Sequence, residues 1–172
     1  MKKIEAKEQG FSLVELIVVA TLIGLSSGIA IASLFTVWNN ERLNSVSKIS
    51  VAWLEDLRRK AIQQSTACRA SWNVMEATLN GQCDNDTSTI MVLNLKAEIK
   101  TSEKLSVSLE PDSPTTWIFT PRGTSTTSGQ ANFSLRGDPQ DQGRCLRLSA
   151  PLGLIRSARR TPTGECDFTT SF

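Results

Sequence analysis

Residues 11–38 are apolar with one charged interruption, and beyond them the apolar positions become periodic. As a helix rising about 1.5 Å per residue this run measures about 42 Å, against about 30 Å of bilayer hydrocarbon, so it is long enough to span a membrane. Leu43, Val46, Trp53, Leu54, Leu57 and Ala61 then recur mostly at spacings of three, four and seven, with Glu41, Arg42, Lys48, Glu55, Asp56, Arg58 and Arg59 among them. That spacing predicts an amphipathic continuation of the same helix, whose apolar stripe must pack on something. Past Cys68 the period changes to two. Short, mostly alternating runs at 89–95, 105–109, 116–119, 131–135 and 145–148, separated by Gly, Pro, Asn and Asp, predict antiparallel strands with one face on the helix. The expected fold class is α+β: a long N-terminal helix, transmembrane in its first half and amphipathic in its second, packed on one or two small antiparallel sheets. The Ser/Thr-rich stretch 123–129 and the stretch 137–143 are expected to be mobile loops.

The charged interruption is Glu15. A lone carboxylate inside a transmembrane helix costs several kcal/mol unless it is paired, protonated or reaches the interface, so an intramembrane ionisable group is by default a functional hypothesis. A positive α-amino group at Phe11 would be a ready partner: one helical turn away within a chain, or on a neighbouring subunit in a staggered bundle, where the pair would fix register. The bland alternative leaves Glu15 among the headgroups. The ten residues before Phe11, with Lys2, Lys3 and Lys7, suit a cytoplasmic leader, although Arg42 and Lys48 soon after the apolar run weaken the charge asymmetry. An ordinary secretory signal with cleavage at Ala30-Ile31-Ala32 is the rival reading. It sits poorly with a glutamate in the apolar region and with apolar residues continuing through Trp38.

Gly10, Phe11 and then Ser12-Leu13-Val14-Glu15-Leu16 resemble the class III signal of type IV prepilins and type II secretion pseudopilins. The resemblance implies that a prepilin peptidase cuts after Gly10 on the cytoplasmic face and methylates the new N-terminus at Phe11, that Glu15 is the assembly carboxylate, and that the helix stays on the mature protein. Gly24, Ser26, Ser27 and Gly28 interrupt good helix formers within it. They fit close helix packing in a membrane, or, on the family reading, local melting when subunits enter a filament.

Beyond residue 38 about 134 residues remain, enough for one modest globular domain. The formal charge of +2 falls to +1 without a leader carrying three Lys and two Glu, so net charge does not identify a partner. The chain has no His, which removes the usual general base and the commonest zinc ligand. With export implied, the 4 cysteines, Cys68, Cys83, Cys145 and Cys166, read as disulfides. Three connectivities are open, and Cys68 with Cys83 and Cys145 with Cys166 is favoured because each pair closes a short loop, at roughly 3 kcal/mol per bridge. A four-thiolate zinc site lacks any C-x-x-C spacing.

Late in the chain, Trp117-Ile118-Phe119-Thr120-Pro121-Arg122-Gly123-Thr124, then Arg144-Cys145-Leu146-Arg147-Leu148-Ser149, then Gly153-Leu154-Ile155-Arg156, resemble the C-terminal domain of the GspH/FimT family of minor pseudopilins and minor pilins. The F-x-P-x-G element and the strand running from glycine to arginine carry the likeness, over roughly residues 50–166. Family members sit at or near a filament tip, and some in competence pili bind DNA through a G-R-x-R patch, where this chain has Gly153-Leu154-Ile155-Arg156. Seven arginines (122, 136, 144, 147, 156, 159, 160) stand against two acids, Asp138 and Asp141, between residues 122 and 160. Arg156, Arg159 and Arg160 are therefore the candidate DNA-binding residues, each phosphate contact adding close to one unit to the salt slope; a solvated basic surface, or pairing with acidic neighbours in a filament, is the alternative. No G-x-S-x-G, phosphate loop or metal cluster points to an enzyme, a metal or a cofactor.

The resulting expectation divides the chain into a leader (1–10), a transmembrane and assembly helix (11–38), an amphipathic continuation (39–68) and an extracytoplasmic β-rich domain (69–172). Its expected place is the bacterial inner membrane, single-pass, and then a pilus or pseudopilus. The expected partners are the prepilin peptidase, other major and minor pilins or pseudopilins and, in the alternative, DNA.

Overall fold

A computed structural model describes residues 12–99, 105–136, 143–161 and 163–169, without the side chains of 25–36 and 86–89. The chain divides into two compact units, Met1–Trp38 and Asn39–Phe172. Helix α1, Leu13–Gln63, contributes to both. In the first unit the helix runs without a break through the Gly24–Gly28 region. A Cβ at Gly24 would meet nothing within 4 Å, so no contact inside this chain requires a glycine there.

In the second unit the amphipathic stripe packs as the sequence predicts. Leu43, Val46, Leu54, Leu57 and Ala61 are fully buried. Trp53 is partly buried, with its six-membered ring close to Gly81: a Cβ there would come within 2.8 Å of the indole. The helix ends at Gln63, short of the expected boundary at 68. Ser65 adopts φ 50°, the Ser65 N–H reaches the Ile62 carbonyl (3.2 Å) and the Thr66 N–H reaches the Ala61 carbonyl (3.1 Å). These are the two bonds of a Schellman motif, with serine where glycine is usual.

Two antiparallel sheets follow. The first has four strands in the order β3-β2-β1-β5, formed by β1 Cys68–Asn73, β2 Thr78–Cys83, β3 Asp86–Asn94 and β5 Thr116–Phe119. The second has five in the order β4-β6-β7-β8-β9: β4 Leu105–Leu109, β6 Gly129–Leu135, β7 Gly143–Ser149, β8 Leu154–Arg160 and β9 Cys166–Asp167. A short helix α2, Leu95–Glu98, is capped by the Asn94 side chain, which accepts from the Lys96 and Ala97 N–H groups at 3.1 Å each. Trp72 (β1) and Trp117 (β5) meet edge to face at 5.2 Å, and Trp72 lies 6.1 Å from Phe133 (β6), so aromatic contacts join the two sheets beneath the helix.

The sequence missed β1 and β2, whose inward positions are filled by Cys68, Ala70, Cys83 and Gly81 as well as Trp72 and Leu79, too small to register as an apolar run. The loop expected to be mobile at 123–129 is instead fastened. Ser125 is buried; its hydroxyl lies within donating distance of the Ile118 and Thr127 carbonyls, at 2.9 and 2.7 Å, and the Thr127 hydroxyl accepts the Ile118 N–H at 2.9 Å. Residues 137–142, most of the second expected loop, lie outside the described residues.

Candidate functional site

The candidate residues fall in three places. Gly10 and Phe11 lie outside the described residues. Glu15 stands in the first turn of α1, near the positive end of the helix dipole. The Ser12 carbonyl accepts the Leu16 N–H at 3.1 Å, the first bond of the helix. Ser12 is thus at the N-cap and Glu15 three residues on, the acidic position of a capping box, a second and purely local reason for a carboxylate here. Around Glu15 the side chains of Leu13, Val14, Leu16, Ile17, Val18, Val19, Leu22 and Ile23 are all exposed. Nearly consecutive positions point to every side of a helix, so this segment is apolar all round and calls for partners or lipid on all sides. Among the described residues no helix is long and apolar enough to cross a membrane; residues 25–36, whose side chains are not described, fall within the apolar run.

The C-terminal arginines occupy β8 and do not converge. Side chains alternate along a strand, so Arg156 and Arg160 share one face of the second sheet and Arg159 lies on the other. Arg159 pairs in register with Arg144, whose Nε donates to Asn44 Oδ1 of α1 at 2.7 Å, which sets Arg159 on the helix side. On the outer side Arg156 stands directly opposite Arg147. Arg147 is turned toward Gln130 Oε1 (3.0 and 2.7 Å) and lies 4.0 Å from the Phe168 ring centre, which eases like charges placed face to face. Arg160 Nε donates to the Gly164 carbonyl at 3.3 Å.

The cysteines pair Cys68 with Cys83 and Cys145 with Cys166, the local pairing expected. Cys68 and Cys83 are register partners across β1 and β2. The second bridge ties the C-terminal segment onto the outer face of the second sheet, beside the fully buried Ala158.

Arg58 escaped the sequence reading, its only signal being a cation on the rim of the apolar stripe. From α1 its Nε donates to the Gly123 carbonyl at 2.6 Å and its terminal nitrogen to the Leu152 carbonyl at 3.2 Å. The Thr120-Pro121-Arg122-Gly123 segment is a β-turn, with the Gly123 N–H bonded to the Thr120 carbonyl at 2.9 Å and proline at its second position. Gly153 packs against it at φ 65°, where a Cβ would come within 2.8 Å of the Gly123 carbonyl oxygen. The Ser125 N–H reaches the Pro151 carbonyl at 3.0 Å. The F-x-P-x-G element and the glycine before the last long strand are thus two halves of one junction between the sheets, held to the helix by Arg58.

The family model "Type II transport protein GspH" matches residues 30–152, which take in α1 from residue 30, strands β1 to β7 and the 120–123 half of this junction. The chain belongs to the GspH family. A second model, the prokaryotic N-terminal methylation motif, matches residues 6–31. Among solved structures the GspH-family chain resembles the type IV minor pilin FimU of Pseudomonas aeruginosa (18% identity, TM-score 0.53, covering 68% of this chain and 88% of that one). It also resembles the minor pseudopilin EpsH from the Type 2 Secretion System of Vibrio cholerae (14% identity, TM-score 0.52, covering 67% and 95%). At such identities the likeness is one of fold, and it confirms the α+β, pilin-like architecture. Comparison with curated proteins finds no match.

Proposed function

We propose that this GspH-family chain is a minor pilin or minor pseudopilin that is cut after Gly10, methylated at Phe11, held in the bacterial inner membrane by the apolar half of α1, and then built into a filament at or near its tip. The observation that carries this reading is the methylation-motif match over residues 6–31, which coincides with a helix exposed and apolar on every side around one carboxylate, Glu15. Removing such a helix from lipid is favourable only if other apolar helices cover it, as in a filament of like subunits. Glu15 would then set the stagger by pairing with a neighbour's α-amino group. The partners are the prepilin peptidase and other pilins or pseudopilins, and the role is assembly, in support of pilus function or protein secretion.

The alternative, DNA capture by Arg156, Arg159 and Arg160, needs the three to act from one surface; their distribution over both faces of β8 offers it no support. The test is the intact mass of the protein recovered from membranes of cells with and without the peptidase. A species beginning at Phe11 and one methyl group heavier, found only with the peptidase and lost when Gly10 is replaced by valine, is expected. A mature chain beginning at Ser33 overturns the reading.

A further inference from the structure

The chain has 4 tryptophans, and three belong to the core: Trp72 and Trp117 are buried, and Trp53 is partly buried against it. The fourth, Trp38, is 59% exposed, and its neighbour Val37 is 60% exposed. The described core takes up only at Leu43, which is fully buried. Asn39, Asn40, Glu41 and Arg42 lie between, so Trp38 ends the apolar run and four polar residues follow it. An indole combines a large apolar body with one N–H donor. Burying that donor in hydrocarbon without a partner costs free energy, so tryptophan concentrates where acyl chains meet headgroups.

Helix α1 is continuous from Leu13 to Gln63, so sequence separation along it converts to distance. Trp38 follows Glu15 by 23 residues, about 34 Å at about 1.5 Å per residue. The bilayer hydrocarbon is about 30 Å thick, and about 40–45 Å with its headgroup layers. Even tilted by about 20°, the helix separates the two residues by about 32 Å along the membrane normal. An indole at the outer boundary of the hydrocarbon thus puts Glu15 at the inner one.

We propose that Trp38 is an interfacial anchor: its ring docks where acyl chains meet headgroups on the outer face of the inner membrane, and so holds Glu15 at the opposite boundary before the chain enters a filament. The inference rests on the membrane reading above. The partner is the bilayer surface with any phospholipid headgroup, because the indole needs an apolar layer beneath it and a hydrogen-bond acceptor above it, and every phospholipid supplies both. At the inner boundary water reaches a carboxylate, so the single subunit carries Glu15 at little cost. Pairing with a neighbour's α-amino group then belongs to the filament, where apolar helices replace the lipid. Trp38 is a positioning residue for Glu15.

The test uses the full chain in phosphatidylcholine vesicles, recovered by flotation. Phospholipids carrying a nitroxide near the headgroup or near the acyl-chain end serve as shallow and deep quenchers. The Trp38 signal is the wild-type emission less that of Trp38→Leu, which keeps the run apolar and the core untouched. The shallow label is expected to quench that signal about twofold more than the deep one. All 4 native cysteines are paired, so a spin label on Leu16→Cys reports the depth beside Glu15. Leucine is drawn into the hydrocarbon and pushes the other end of the helix outward, so Trp38→Leu is expected to raise the label's contact with an aqueous relaxation agent about twofold, while Trp38→Tyr, another interfacial aromatic, keeps the wild-type value. A floated chain whose Trp38 is quenched by neither label, being covered by protein, or most by the deep one, overturns the proposal and leaves the membrane reading standing. So does a spin label whose contact is the same in Trp38→Leu. A chain that does not float overturns both.

Discussion

Gly153 combines two constraints that only glycine meets: a positive φ of 65° and the Gly123 carbonyl oxygen 2.8 Å from where a Cβ would stand. Gly153→Ala is therefore expected to destabilise the domain by about 2–4 kcal/mol, measured by urea denaturation, since the neighbour is backbone and cannot swing away. Ser65 is the opposite case. It holds φ 50° at the end of α1 with no side-chain need for it, so Ser65→Gly is expected to add about 0.5–1 kcal/mol by relieving the left-handed strain. A lower unfolding midpoint for that variant would contradict the Schellman assignment. At this scale the sequence was only partly legible. Phe119, Pro121 and Gly123 were visible as a motif, but what they do, shape a turn whose carbonyl receives Arg58, depends on a residue 65 positions away in the chain.

Among the elements, α1 and strands β4, β6 and β7 of the second sheet followed from periodicity, because Leu43 to Ala61 and the alternating residues of β4 and β6 bury large side chains at regular intervals; β8 was visible only through the family resemblance, and β9 was missed. Strands β1 and β2 did not, since several of their inward residues are small and their stability comes from partners: Cys68 opposite Cys83, and Trp53 of α1 lying on Gly81. The Ser/Thr-rich segment was misread as mobile for a similar reason. Its hydroxyls bond to backbone within a fold that excludes water, where such bonds are retained. Arg58 joins three elements here, and Arg58→Ala is expected to cost about 1.5–3 kcal/mol by removing two charge-assisted bonds to carbonyls. Arg58→Lys is expected to recover less than half, because a single ammonium cannot span both acceptors. The Glu55 ion pair at 3.5 Å, on the surface, contributes little to this.

For the whole molecule, the described buried core begins at Leu43 and takes nothing from residues 12–24. A fragment beginning at Asn39 is thus expected to fold cooperatively with native near-ultraviolet circular dichroism, while the full chain requires detergent. The Cys145–Cys166 bridge holds the C-terminal segment over β8, and the double variant Cys145→Ser, Cys166→Ser is expected to lose about 2–4 kcal/mol. Loss of that bridge is also expected to free Phe168 from Arg147, giving faster proteolysis after residue 160 than elsewhere in the domain.

By itself the sequence determined the features that depend on near neighbours along the chain. These are the uninterrupted apolar run with its lone Glu15, the helical period after it, the alternation of the later strands, and the local spacing of the cysteines. Helix and strand periods and short loop closures are properties of contiguous residues. The tertiary structure decided what depends on which distant residues meet. It divided Arg156 and Arg160 from Arg159, buried Arg144 beside Asn44, and made one junction of Gly123, Gly153 and Arg58. A strand's register and the face it turns to a helix are fixed by packing across the whole domain, and no local pattern of residues encodes them.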